Sequence, residues 1–465
     1  MTFPAGFLWG AATASYQVEG AVTEGGRGPS IWDTFAAAEG KVVGGATGAV
    51  ACDHYHRFPE DIGLLADLGL NAYRFSVAWP RVMPDGRTPS AAGLAFYDRL
   101  VDELLRRAVV PVLTLYHWDL PQALEDAGGW PERDTASRFA DYAAVVHTAL
   151  GDRVNQWTTV NEPFCAAFLG YGSGVHAPGV QDYDTALVAA HHLLLGHGLA
   201  TRALTAQARP GHEFSLALNF APAIPDGSSP AHAEAARKFD GIHNRFFLDP
   251  VLGRGYPEDV LADVEHHGGR FAAAVRDGDT DVIAAPIDWL GVNYYAPARV
   301  TPLEDPHAPS NCPLPALRGL DVLPAPPPLT AFGWEQAPAG LTGLLRWIDT
   351  RSGGLPLVVA ENGASFVDRV VDGRVFDAAR VNYFMEHLAA VHDALRAGVD
   401  VRGYFAWSLL DNFEWAMGYT QRFGLVHVDF ETQRRTVKES GRFLGRVAKA
   451  NGLGTPAEGV GDPRA

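Results

Sequence analysis

Apolar and polar positions follow two rhythms along this chain. Short, mostly apolar runs at 7–12, 73–79, 111–118, 156–161, 214–220, 289–295, 357–360 and 401–407 read as buried strands. Between them the period lengthens to that of an amphipathic helix. DIGLLADLGL at 61–70 and DRLVDELLRRA at 98–108 set their leucines on one face, and 136–150, 185–206, 231–247, 341–350, 379–397 and 437–450 look similar. Eight strand-then-helix units predict an α/β fold, a single-domain (β/α)8 TIM barrel with extended βα loops. A doubly wound sheet fits less well, because no glycine-rich dinucleotide turn follows the first strand.

The pattern places one domain over residues 1–453 and a disordered tail at 454–465. With 465 residues the chain is longer than a usual barrel, so insertions are expected in its βα loops, most clearly the proline-rich stretch 301–330. A hydrophobic content of 47% and a charged content of 20% describe a well-buried globular chain. The net charge of −17 argues against nucleic acid or an anionic membrane as partner. Cys52, Cys165 and Cys312 are too few and too scattered for a disulfide framework or a zinc cluster, and suit a reducing compartment. The start, MTFPAGFLWG, has no secretory pattern, and no apolar run reaches the roughly 18 residues of a membrane span. A cytoplasmic protein is expected.

In such barrels chemistry sits at the C-terminal ends of the strands. The fourth strand runs directly into Glu162 and Pro163, and the seventh into Glu361, Asn362 and Gly363. Most glutamates simply face water. Two at strand tips facing each other across one barrel mouth meet the requirement for glycoside hydrolysis, in which paired carboxyls flank the scissile bond. One must be protonated and the other ionised, and mutual repulsion with unequal surroundings separates their pKa values in that way. Pro163 biases Glu162 towards an extended backbone.

Segments WTTVNEP at 157–163 and VAENG at 359–363 resemble the two catalytic segments of glycoside hydrolase family 1, the β-glucosidase group. FLWGAATASYQVEG at 7–20 is similar to that family's N-terminal signature, and YRFSVAW at 73–79, YHW at 116–118, GVNYY at 291–295 and WSLLDNFEW at 407–415 also match. The resemblance implies that Glu361 is the nucleophile and Glu162 the acid, then base, of a retaining double displacement, with carboxyls about 5 Å apart. Thioglucosidase relatives carry glutamine at the position of Glu162, so O-glycosides are implied here. Arg74, at the tip of the second strand, would hold Glu361 ionised, and Tyr295 would add a hydrogen bond. Asn161 would contact the 2-hydroxyl, and Asn293 would sit near the acid.

By the same resemblance, Gln17, His117 and Glu414 would bind the 3-, 4- and 6-hydroxyls and Trp415 would offer an indole N–H. Trp407 would floor the sugar, with Trp118 and Phe423 in the same binding set and Trp334 walling the site beyond the scissile bond. A non-proline cis peptide is implied at Trp407–Ser408. Cys165, Leu169 and His176, on the loop after Glu162, and the proline-rich loop are candidates for the entrance. Relatives that cleave 6-phosphoglycosides have a serine in place of Glu414; an anion there would repel a phosphate.

The expected substrate is a small-molecule β-glycoside, either cello-oligosaccharides or alkyl and aryl β-D-glucosides. A β-galactosidase or β-fucosidase preference, or a transglycosylating activity, stays open. A sugar-binding pseudoenzyme would require loss of one carboxylate, and both are present. His54 and His56 form an H-x-H pair, but precede a helix rather than crown a strand, so no metal or other cofactor is expected.

Overall fold

The computed structural model describes residues 1–454 apart from 306, 307, 309, 311, 313, 315 and 316; the expected tail therefore lies outside the described residues, save residue 454. Eight parallel strands close into a barrel. They are β1 (Leu8–Ala12), β2 (Ala72–Ser76), β3 (Val110–Tyr116), β4 (Gln156–Asn161), β5 (Glu213–Phe220), β6 (Leu290–Tyr294), β7 (Leu357–Asn362) and β8 (Val401–Trp407). Each pairs with its neighbours in sequence, and β1 meets β8 in an unbroken register from Leu8–Gly403 to Ala12–Trp407.

The strands read as apolar runs because both their faces are covered. β2 and β6 are buried at every position. The eight longest helices form the outer ring: α1 (His54–Leu68), α2 (Ala91–Arg106), α3 (Asp134–Leu150), α4 (Tyr183–Ala206), α5 (Pro230–Asp240), α6 (Pro338–Ser352), α7 (Ala378–Arg396) and α8 (Glu439–Ala450). In α2 the Ser90 hydroxyl caps the first turn by accepting from the Gly93 amide, and Phe96, Tyr97, Leu100, Val101 and Leu104 form the buried stripe. The span 231–247, expected as one helix, divides: α5 ends at Asp240, a wider turn covers Gly241–Arg245, and a short helix follows over Phe246–Val251.

The second strand stops at Ser76 rather than 79, because Trp79–Val82 coils into a helical turn with Pro80 near its start. Arg74 is therefore the third of five strand residues, not the tip, and reaches the mouth by the length of its side chain. Part of the proline-rich stretch 301–330, expected as an irregular insertion, is paired as strands. Ala298–Pro302 pairs antiparallel with Leu320–Val322 and parallel with Ala223–Pro225, making a small satellite sheet. The first strand region and the residue after α8 are tied together: Asn451 donates to the Phe3 carbonyl at 2.9 Å and accepts from the Trp9 indole at 2.9 Å.

Candidate active site

A cavity of about 390 Å3 opens at the C-terminal ends of the strands, and both Glu162 and Glu361 line it. Parallel pairing of β6 with β7 sets Glu361 opposite Asn293. The Asn293 amide nitrogen donates to Glu162 Oε1 at 2.7 Å and to Asn161 Oδ1 at 3.1 Å. One asparagine thus stands beside one glutamate and grips the other.

Glu162 departs from the expectation drawn from Pro163. Its φ is +48°, in the left-handed region, not extended. The β4–β5 register slips between Thr158 and Asn161, and the Glu162 amide donates to the Ala217 carbonyl of β5 at 2.8 Å. That strand pairing curls the tip and outweighs the local preference of a residue before proline.

The two carboxyls have unlike neighbours. Glu361 Oε1 accepts from Arg74 at 2.5 Å and Oε2 from the Tyr295 hydroxyl at 2.8 Å. The other Arg74 nitrogen donates to Asn161 Oδ1 at 2.6 Å. Among the described residues no cation lies in hydrogen-bond reach of Glu162, which is pushed up to about 8, first by burial and then by the charge of Glu361. Burial also raises Glu361, with the charge and hydrogen bond of Arg74 the leading influence against it. Arg74 therefore favours ionisation of Glu361 without cancelling the effect of burial. The cation beside Glu361, set against the uncharged partners of Glu162, favours ionisation at Glu361 over Glu162.

His117 and Glu414 line the cavity, whereas Gln17, Arg74, Asn161 and Asn293 are not among its lining residues. Asn161 Nδ2 lies 3.1 Å from His117 Nε2, which makes that nitrogen the acceptor and leaves the proton on Nδ1. Burial lowers the His117 pKa well below its usual value, so the ring is neutral. His117 Nδ1, Gln17 Oε1 and Glu414 Oε2 are all buried and have no hydrogen-bond partner among the described residues. Such groups are costly unless a ligand engages them. Gln17 is fixed by its own amide nitrogen, which donates to Asn412 at 3.1 Å and to the Phe413 carbonyl at 2.8 Å. Glu414 is pushed up to about 8 by burial, then by Glu361 and Glu162.

Trp407 and Trp415 line the cavity with the His117 ring stacked between them, at 5.8 and 6.0 Å. Trp118 and Phe423 are lining residues too, and the Trp118 indole donates to the Asn161 carbonyl at 3.0 Å. The Trp407–Ser408 peptide is cis. Arg422, beside Phe423, gives its guanidinium to Asp411 at 2.7 Å and is not free to meet a phosphate.

Cys165, Leu169 and His176 line the cavity as expected, but Cys165 and Leu169 belong to a wide helical turn, Cys165–Gly172, rather than a loop. Trp334 lines it beside Phe332, whereas no described residue of 301–330 does. His54 and His56 stand in the first turn of α1 rather than ahead of it. His54 faces Asp61 at 2.8 Å, and His56 bridges Asp53 and Glu24 at 2.6 and 3.0 Å. Among the described residues no cluster of three or more His, Cys, Asp or Glu could hold a metal. Asn219, Val175, Phe332, Ala416 and Met417 line the cavity without having been anticipated. Asn219 sits near the end of β5, where the strand-tip rule would have found it. The other four stand outside the barrel strands and carry no such positional signal.

The model of glycosyl hydrolase family 1 matches residues 1–453. A thermostable β-glucosidase B of Thermobispora bispora is 49% identical, over 97% of this chain and 92% of that protein. A bifunctional β-D-glucosidase/β-D-fucosidase of Bifidobacterium breve is 47% identical, over 95% and 96%. The solved structure of a psychrophilic β-glucosidase from Micrococcus antarcticus superposes with a TM-score of 0.92 at 47% identity, covering 97% of this chain and 98% of that one.

Proposed function

The chain belongs to glycosyl hydrolase family 1, and from that premise we propose how its residues carry out the reaction of a retaining β-glucosidase. The observation that carries the assignment is the unequal setting of two carboxyls in one cavity, Glu361 against the Arg74 cation and Tyr295, Glu162 against the uncharged Asn293 and Cys165.

In the first step ionised Glu361 attacks the anomeric carbon. The bond to the leaving oxygen breaks, and that oxygen takes the proton held by Glu162. Arg74 and Tyr295 orient the attacking carboxylate. In the second step Glu162, now ionised, removes a proton from water. The water oxygen bonds to the anomeric carbon and Glu361 departs, so the β configuration returns. A separation of about 5 Å between the carboxyls suits this route. Gln17, His117, Glu414 and Trp415 hold the hydroxyls of the bound sugar, Trp407, Trp118 and Phe423 enclose it, and Asn161 holds the 2-hydroxyl. A β-D-fucosidase activity alongside is supported by the bifunctional name of the Bifidobacterium relative.

We assign the activity to residues 1–453 as one barrel unit. A cytoplasmic setting is supported by three buried cysteines, none of them in a disulfide; no described helix is long and apolar enough to cross a membrane. The test is a pair of variants. Glu361→Gly is expected to lose turnover and regain it with azide, yielding the inverted glycosyl azide. Glu162→Ala is expected to slow alkyl glucosides far more than activated aryl ones. Full activity in either variant would overturn the roles of nucleophile and acid.

A further inference from the structure

Two of the groups assigned to the sugar's hydroxyls stand on segments that no strand ladder joins. Gln17 lies in the helical turn Ser15–Val18, after β1, and His117 in the bend after β3. In the barrel β2 separates those strands, so strand register does not set the spacing of the two side chains. Their own hydrogen bonds lead elsewhere, Gln17 to Asn412 and the Phe413 carbonyl, His117 to Asn161.

One hydrogen bond crosses the gap. Ser15 Oγ donates to Asp119 Oδ2 at 2.8 Å, and both residues are buried. Ser15 precedes Gln17 by two residues, and Asp119 follows His117 by two. Ser76, the last residue of β2, completes the brace: its Oγ accepts from the Ser15 amide at 2.7 Å and donates to the Ser15 hydroxyl at 3.1 Å. Each hydroxyl proton then has one destination, from Ser76 to Ser15 and from Ser15 to Asp119. Between His117 and Asp119 the chain turns through Trp118, whose φ of +74° lies in the left-handed region. A residue with a side chain holds that conformation only under constraint. The turn leaves His117 lining the cavity and Asp119 outside its lining. Burial raises the pKa of Asp119 to about 7, the mark of a carboxyl kept inside at a cost to the fold.

From this brace, and resting on the sugar-binding roles given above to Gln17 and His117, we propose that Asp119 is a positioning residue: through Ser15 it fixes the distance between the two groups that receive neighbouring hydroxyls of the sugar. It touches no substrate itself. Without it the turn that carries Gln17 and the bend that carries His117 drift apart, and contacts that must be in place at the transition state are lost. The effect is confined to hydroxyls that these two side chains hold. A substrate lacking one of those hydroxyls has less to lose, whereas one lacking only the 6-hydroxyl keeps both and loses as much as the parent.

The experiment measures kcat/KM of Ser15→Ala, Asp119→Ala and Asp119→Asn on 4-nitrophenyl β-D-glucoside and on its 3-, 4- and 6-deoxy analogues. In both alanine variants the constant is expected to fall about tenfold for the parent and the 6-deoxy substrate, and about threefold or less for the 3- and 4-deoxy substrates. Asp119→Asn keeps an oxygen that can accept from Ser15, and is expected to recover most of what Asp119→Ala loses. Equal losses on all four substrates would mark a merely structural role and overturn the proposal. Wild-type constants in Ser15→Ala, or no recovery in Asp119→Asn, would overturn it as well. Ser15→Ala removes a single oxygen, so the outcome does not hang on whether Asp119→Ala folds. Equal constants of the wild-type enzyme on the parent and on the 3- and 4-deoxy glucosides would instead overturn the binding roles of Gln17 and His117, which keeps the two failures distinct.

Discussion

Glu162 and Glu361 share a cavity but not a hydrogen-bond environment, and that difference sets the pH behaviour. Glu162 works as an acid only while protonated, and burial with the neighbouring charge pushes it up to about 8. Turnover is therefore lost as pH rises through that region, and lost again at low pH as Glu361 takes up a proton. A bell-shaped kcat/KM profile with a basic limb near 8 is expected, its two limbs belonging to the coupled pair. An activity still rising above about pH 9 would contradict the assignment of Glu162 as acid. Both carboxyls were legible in the sequence because each interrupts an apolar run at a strand end. The backbone of Glu162 was not, since its left-handed φ answers to pairing with Ala217, a partner more than fifty residues away. Val175 and Met417 were illegible for a related reason: outside the barrel strands there is no period to betray which way a side chain faces.

At the scale of single elements, the eight strands and their helices were readable to within a few residues, because buried parallel strands leave continuous apolar runs. The readings erred where a local feature bent the chain, as Pro80 does after β2 or the wide turn after α5. The end of β7 also explains the glycine that follows it, Gly363. A Cβ on Gly363 would lie 1.9 Å from the Trp407 carbonyl oxygen, so β7 and β8 approach each other there as only glycine permits. Gly363→Ala has to push Trp407 away from the segment that carries Glu361. A stability loss of about 1–3 kcal/mol is expected, together with a fall in kcat/KM of roughly a hundredfold. Denaturant unfolding and steady-state kinetics on the same preparation check both, and wild-type kinetics would refute the account.

Across the whole molecule the buried acids fall into two groups that pull stability in opposite directions with pH. Asp119 and Glu125 rise to about 7, and Glu162 and Glu414 to about 8, each chiefly through burial. A carboxyl raised in the folded state contributes stability fully below its unfolded pKa, near 4, and loses it as pH climbs through the folded value. Asp61 and Asp411 are depressed: burial works against ionisation, and His54 followed by Arg435 for Asp61, and Lys438 with Arg422 for Asp411, outweigh it. Their contribution is present above about pH 4 and disappears as pH falls through the lowered values. The buried histidines, among them His117, His176, His197 and His243, are held below their usual value by burial, so their contribution is present above about pH 6.5 and is lost as pH falls. Acids and histidines together therefore set a Tm that is expected to be highest near neutral pH and to fall towards both about pH 5 and about pH 9; a Tm flat across that range, measured by scanning fluorimetry at fixed ionic strength, would show that these groups do not govern the balance.

The seam between β1 and β8 has a consequence for synthesis. Residues 8–12 leave the ribosome early and wait for 403–407 before their second edge is taken. For most of translation the growing sheet keeps two bare borders, each able to capture another nascent chain. A stall late in the message thus leaves an arc rather than a ring, and quality-control factors meet an almost complete enzyme whose one remaining fault is a gap a single strand wide.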